Sequence, residues 1–130
     1  MNNEFSFGKT VQLEFDKAVE AVTDALEDQG FGVLTEIDVQ ATLRKKLDKE
    51  TRPYRILGAC NPELAHRALS AEPQIGVLLP CNVVVREGED GQVHVEFMDP
   101  QAVLNLVDNP AVHDVAAEVR DRLTQVFEAI

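Results

Sequence analysis

The sequence predicts an α+β fold: a single domain over residues 1–130, with one mostly antiparallel sheet and helices packed on one face. Two observations predict this class. Short stretches of alternating or continuous apolar residues, typical of strands, are interspersed with stretches of helical periodicity. The length of 130 residues, 45% of them apolar, suits one compact domain with its own hydrophobic core.

In the first third of the chain, a helix separates two strands. Residues 5–15 form the first strand, because polar and apolar side chains alternate up to its end. Asp16 is the expected N-cap of the helix, and Gly30 ends that helix in a left-handed conformation. Residues 31–39 then form the second strand.

The middle of the chain contains the clearest boundaries. The segment 40–51 is rich in basic residues and predicts a short helix that Pro53 closes. Residues 54–60 form a short buried strand. Asparagine is a favoured N-cap and proline a favoured first helical residue, so Asn61-Pro62 begins another helix.

The remaining segments predict a hairpin and a last helix. Residues 74–87 form a strand that bends, bulges or lies on an edge at Pro80, because proline donates no hydrogen bond to a neighbouring strand. A turn at 88–91 leads to a returning strand over 93–97. A second asparagine–proline pair, at 109–110, begins the last helix.

Charge and hydropathy exclude two classes of partner. With 23 acidic and 12 basic residues the net charge is −11, so the chain lacks the basic surface that nucleic-acid binding needs. The longest apolar run, residues 75–80, is too short to span a membrane. The N-terminal segment also lacks the pattern of a signal peptide, so we expect a cytoplasmic protein.

Several spaced motifs carry a resemblance to a known family. They are the run "YRILGACNPELAHRAL", the strand "LPCNV", the acidic-glycine hairpin after it and the pair "DP" at 99–100. Together they are similar to the bacterial and archaeal family named domain of unknown function 302. The resemblance implies a small α+β fold and a homodimer, and it implies no established activity.

A homodimer is also expected from the residues themselves. The run "IGVLLPCNVVV" is apolar at nearly every position, which is typical of a strand covered on both faces. Helices on one side of a small sheet leave the other side in need of cover, and a second copy of the chain would provide it.

The two cysteines are candidate reactive thiols. Cys60 directly precedes a predicted helix start, where the helix dipole favours a thiolate, and Cys81 is its candidate resolving partner. The alternative is that both are small apolar residues beside the core. No histidine is spaced with either cysteine as metal ligands usually are, so we predict no metal site.

The basic segment is a candidate anion site. Half of the basic residues lie between Arg44 and Arg55. If this segment folds over the "GACNP" turn, Arg44, Lys46 and Arg55 would face the helix start at Pro62 and lower the pKa of Cys60. The backbone N–H groups of residues 63–64 would be the donors, and we add Asn61 and Asn82, which each follow a cysteine, as candidate ligand-binding residues. The alternative is a solvated charged face.

Two functions remain open at this point. The sequence favours a non-catalytic homodimeric module that binds a small anionic ligand or a protein partner near the "GACNP" turn. The alternative is a thiol-dependent redox or sulfur-transfer protein that uses Cys60 with Cys81. The sequence contains no glycine-rich phosphate loop, nucleophile elbow or zinc-protease motif, so we predict no cofactor and leave enzyme activity undecided.

Overall fold

The computed structural model describes residues 2–130 and contains five strands, five α-helices and one 3₁₀ helix. In chain order these are β1 (Ser6–Val11), α1 (Phe15–Asp28), β2 (Gly32–Asp38), α2 (Val39–Leu47), β3 (Tyr54–Cys60), α3 (Pro62–Ala71), the 3₁₀ helix (Pro73–Leu78), β4 (Cys81–Glu87), β5 (Val93–Met98), α4 (Pro100–Leu104) and α5 (Pro110–Ala129).

The strands form one antiparallel sheet in the order β1-β5-β4-β3-β2. The predicted α+β class is therefore confirmed. β1 and β2 are the edges of the sheet, and β2 is irregular because its register with β3 shifts between Val33 and Thr35. Leu34 is the extra residue at this shift, and its side chain is 69% exposed.

One face of the sheet forms the core with the helices. α1 packs against α5 and β4, and α3 packs against α5. Strand side chains that alternate along the sheet are buried on this face: Phe7, Val11, Leu57, Ala59, Cys81, Val83, Val85, Val93, Val95 and Phe97.

The opposite face is only partly covered. We call it the open face, and it includes the intervening residues Ile37, Tyr54, Ile56, Asn82, Val84, Arg86, His94, Glu96 and Met98. In the middle of this face Ile56 is paired with Val84, and Arg86 forms an ion pair of 2.6 Å with Glu96. The open face is therefore mixed in character, with apolar side chains on β3 and β4 beside a charged pair.

The predicted strand over 74–87 is wrong in its first half. Residues 73–78 form the 3₁₀ helix, in which the Ile75 N–H donates to the Glu72 carbonyl at 3.0 Å. Val77 is 86% exposed, so the apolar run is not a single strand covered on both faces. Pro80 follows a cis peptide bond and precedes β4, so the strand does not contain it.

Two smaller differences concern helix starts. α1 begins at Phe15, one residue before the predicted cap Asp16, and β1 ends at Val11. α4 was not predicted, although Asp99-Pro100 has the same cap-plus-proline pattern as the two asparagine–proline pairs. Asp99 accepts hydrogen bonds from the N–H groups of the two residues that follow Pro100.

Candidate functional site

A cleft opens beside the "GACNP" turn, where β3 ends and α3 begins. Its volume is about 350 Å³, and the 3₁₀ helix, α5 and the edge strand β2 complete its walls. We call it the GACNP cleft. Ala59, Ala65, Ala68 and Gly76 all line the cleft, and their small size leaves its space open.

The GACNP cleft is apolar. Among residues 2–130, no charged side chain lines it, although 27% of the residues in the chain are charged. Leucine, valine, phenylalanine and proline side chains form most of the wall. The side-chain polar groups in the lining are the two thiols, the hydroxyl of Thr35 and the carboxamide of Asn61. This composition is typical of a pocket that binds an apolar molecule and orients it with a few polar groups.

Asn61 holds the turn in place. It is the N-cap of α3, and its side-chain oxygen accepts a hydrogen bond of 3.1 Å from the Leu64 N–H. Asn61 is 7% exposed and is the one buried polar residue in the described part of the chain. The sequence analysis named the N–H groups of residues 63–64 as donors to an anion. The Leu64 N–H already donates to Asn61, so it is not free to bind an anion.

Both cysteines line the GACNP cleft from neighbouring strands, and both thiols are free. Cys81 on β4 is directly opposite Ala59, the residue before Cys60 on β3. Burial raises the pKa of the Cys60 thiol above its usual value. Burial, with a smaller contribution from Cys60, raises the pKa of Cys81 to about 11. The expectation of a lowered Cys60 pKa is wrong: the shift is upward, because burial removes the thiolate from water.

The basic segment lies away from the cleft. Arg55 is near the start of β3 and Cys60 is at its end, about 17 Å apart for five residues of extended strand. Arg55 forms ion pairs of 2.7 Å with Glu36 and 3.6 Å with Asp38. Its guanidinium also lies 5.7 Å from the ring centre of Phe15. The prediction that Arg55 faces the "GACNP" turn is therefore wrong.

The other two predicted cations are on α2, which continues directly from the β2 residue paired with Arg55. Arg44 forms an ion pair of 3.1 Å with Glu50, and Lys46 is exposed. Neither lines the GACNP cleft, so the structure does not bring these cations to the turn.

Asn82 also lies outside the GACNP cleft. It is on the open face, in a groove of about 620 Å³ that Tyr54, Val84 and Arg86 also line. The two asparagines that follow cysteines therefore belong to different surfaces. The reason is the pleat of β4, in which neighbouring side chains point to opposite faces: Cys81 faces the core and Asn82 faces away from it.

Sequence reasoning missed the alanines and Thr35 as part of the site. Ala65 and Ala68 are on the apolar face of α3, which the sequence did identify as a helix. No sequence signal separates a helical face that packs tightly from one that leaves a cleft, because the difference depends on the residues opposite.

Two features are absent from the described part of the chain. Within residues 2–130, no group of three or more histidine, cysteine, aspartate or glutamate side chains is arranged to bind a metal ion. In the same part of the chain, no helix has both the length and the apolar character needed to cross a membrane.

The fold and the cleft define a small α+β protein with an apolar, thiol-lined pocket at a strand–helix turn. The model of the DUF302 family, a domain of unknown function, matches residues 7–130, and the chain belongs to this family. The crystal structure of an uncharacterised conserved DUF302 protein from Bacillus stearothermophilus is similar, with 28% sequence identity and a TM-score of 0.89. The match covers 96% of this chain and 97% of that one. No curated protein matches the chain.

Proposed function

We propose that this protein is a non-catalytic, homodimeric binding module whose ligand occupies the GACNP cleft. The observation that carries the proposal is the lining of the cleft, which is apolar and is contributed by strands β2, β3 and β4, by helices α3, α4 and α5 and by the 3₁₀ helix. The sequence favoured a small anionic ligand or a protein partner, whereas the wall of the cleft favours a small apolar ligand. An anion in this cleft would be removed from water without a cation in the wall to compensate, and that is unfavourable.

Thiol chemistry is the less favoured function. The position of both cysteines in one cleft supports it, but the direction of their pKa shifts does not. A thiol must ionise to act as a nucleophile, and burial keeps both thiols protonated at neutral pH. We therefore interpret Cys60 and Cys81 as part of the apolar wall.

The ligand proposal predicts that filling the cleft weakens binding. Ala65 is half-buried on α3 and lines the cleft, so Ala65→Phe is expected to weaken binding of the uncharged dye N-phenyl-1-naphthylamine at least tenfold. Ala41→Phe is the matched control, because Ala41 is exposed on α2 outside the cleft and should leave the affinity unchanged. Dye fluorescence gives the dissociation constant.

Two further arms separate the alternatives. Cys60→Ser is expected to retain dye binding, since the thiol contributes only to the wall. Phosphate at about 10 mM should not shift the melting temperature, because a ligand in excess over its dissociation constant would stabilise the native state. Dye affinity that Ala65→Phe leaves intact, or a rise in melting temperature with phosphate, would contradict the apolar site.

The homodimer is proposed to form through the open face. Across the sheet, Ile37, Ile56 and Val84 are paired side by side on three neighbouring strands, and Ile37 is 48% exposed. An antiparallel sheet can leave one face in water when that face is polar. Here β2, β3 and β4 instead present a continuous apolar row, and a second copy would bury it against the same row.

This part of the proposal predicts a charge-sensitive dimer. Val84→Asp is expected to give a monomer at micromolar concentration, because it would bury an unpaired carboxylate at the centre of the interface. Val77→Asp is the matched control, since Val77 is exposed on the 3₁₀ helix and should leave the dimer intact. Light scattering measures the mass. A wild-type protein of monomeric mass, or a Val84→Asp protein that stays dimeric, refutes the interface.

A further inference from the structure

We infer that the last turn of α2, with the residue that follows its cap, is a docking surface for a short acidic segment of a partner protein. The surface consists of Lys45, Lys46, Leu47 and Lys49, and we call it the α2 patch. The residues that line the GACNP cleft all lie outside α2, so binding at the α2 patch is independent of the ligand proposed for the cleft.

The lysines of the α2 patch differ from the other basic side chains in having no partner in the fold. Nine of the 12 basic residues form an ion pair, a hydrogen bond or a cation–π contact: Lys9, Lys17, Arg44, Arg52, Arg55, Arg67, Arg86, Arg120 and Arg122. Within residues 2–130, Lys45, Lys46 and Lys49 form none of these contacts, although the chain has 23 acidic residues that could supply them. The unpaired positive charge is therefore confined to one segment.

α2 is folded without burying any of its nine residues. Contacts near its ends hold it: the Asp38 carboxylate accepts from the Ala41 N–H at 2.9 Å, and the Gln40 side chain donates to the Thr51 carbonyl at 2.8 Å. Leu47 is 62% exposed at the end of this helix. Helices in proteins are stabilised chiefly by the packing of an apolar face, so a fixed helix that presents a leucine to solvent is suited to packing against a partner.

The helix dipole explains only part of the α2 patch. Cations in the last turn are stabilised by the partial negative charge there, which accounts for Lys45 and Lys46. Lys49 follows the C-cap Asp48 and lies outside the helix, and the dipole does not favour an exposed Leu47. An acidic segment with an apolar side chain accounts for all four positions, because its carboxylates would pair with the lysines and its apolar side chain would cover the leucine.

The charge distribution limits the size of the partner. Residues 44–50 include four basic and two acidic residues, whereas the whole chain has a net charge of −11. Exposed charges interact over about 8 Å at physiological ionic strength. A nucleic acid or an anionic bilayer would extend beyond this distance and meet the acidic remainder of the surface, so repulsion would oppose its binding. A short acidic segment would contact the α2 patch alone.

The test measures binding of the fluorescein-labelled peptide EEDLDEE by fluorescence anisotropy, with protein up to about 1 mM and salt at about 0.1 M. We expect this peptide to bind more tightly than QQNLNQQ, which lacks the carboxylates, and more tightly than EEDSDEE, which lacks the leucine. Raising the salt to about 1 M should weaken EEDLDEE binding at least threefold, because the screening length falls from about 10 to about 3 Å.

Substitutions in the α2 patch are expected to remove the charged and the apolar contributions separately. Replacement of the three patch lysines together by glutamine should weaken EEDLDEE binding at least threefold, the combined effect of three exposed ion pairs. Leu47→Gln should weaken EEDLDEE binding by a similar factor but leave EEDSDEE unchanged, because that peptide already lacks the apolar contact. The matched controls are Lys17→Gln and Leu106→Gln, which are exposed outside the α2 patch and should change neither affinity.

Three outcomes would overturn the docking surface: no binding of EEDLDEE to the wild-type protein, equal binding of QQNLNQQ, or equal losses in the control and patch variants. Tighter binding of an oligothymidylate or of phosphatidylglycerol vesicles than of EEDLDEE would overturn the assignment to an acidic protein segment. Circular dichroism checks that each variant is folded. If the triple lysine variant is not, Lys46→Glu replaces it and is expected to lose more affinity than Lys17→Glu. All of these outcomes leave the dye site in the GACNP cleft unaffected.

Discussion

Replacing Phe97 by alanine is expected to lower the free energy of unfolding by about 3 to 5 kcal/mol, the usual cost of truncating a fully buried phenylalanine. Phe97 is on β5 and is 0% exposed. Its ring stacks on Phe7 with 5.2 Å between ring centres, and Phe127 of α5 meets it edge-on at 6.3 Å. The substitution therefore removes one of the three rings through which β1, β5 and α5 contact each other, and it leaves a cavity between the sheet and the helix.

Phe5→Ala is the matched control for this prediction. The chemical change is the same, but Phe5 is 63% exposed, so the expected loss is within about 0.5 kcal/mol. Urea unfolding followed by circular dichroism measures both values, at one protein concentration because a dimer is proposed. Similar losses for the two variants would contradict the arrangement of the aromatic cluster.

Raising the pH from about 8 to about 11 is expected to remove about 2 to 3 kcal/mol of stability through Cys81 alone. Burial raises the pKa of this thiol to about 11 in the folded protein, whereas the unfolded thiol has a pKa near 8.5. The unfolded state therefore releases its proton first. The stability that depends on a neutral Cys81 thiol is fully present below about pH 8. It is lost as the pH rises through the folded-state pKa of about 11, and each unit of difference between the folded and unfolded pKa corresponds to about 1.36 kcal/mol.

Cys81→Ala isolates this contribution. All other ionisable groups are present in both proteins, so the difference between the two stability curves reports Cys81 together with its coupling to Cys60. We expect the variant to be less sensitive to alkaline pH, and denaturant unfolding at several pH values between 7 and 11 measures the slope. Parallel curves for the two proteins would mean that Cys81 is not a buried neutral thiol.

The parts of the fold that the sequence predicted well are those with local signals. The bounds of β3 agree with the predicted strand over 54–60, and α3 and α5 begin at the predicted asparagine–proline pairs. A cap depends on a side chain and an N–H group two or three residues away, so its information lies within one turn of helix. The same local pattern at Asp99-Pro100 begins α4, which is not among the elements predicted from the sequence.

The failures concern segments in which tertiary contacts override a local pattern. Residues 73–78 are apolar enough for a buried strand, but they form a 3₁₀ helix in which Ile75 enters the core and Val77 faces solvent. Composition cannot distinguish these outcomes, because both place apolar residues at most positions.

For the candidate site, the sequence by itself determined that Cys60 ends a strand, that Asn61 caps a helix and that the chain is strongly acidic. Only the tertiary structure decided which groups meet at the turn. The antiparallel sheet brings Cys81 beside the end of β3 and keeps Arg55 at the other end, since one strand is long enough to separate them. The cleft likewise exists because α3, α5 and the 3₁₀ helix pack around small side chains without filling the space between them, and packing of that kind is a property of several segments together.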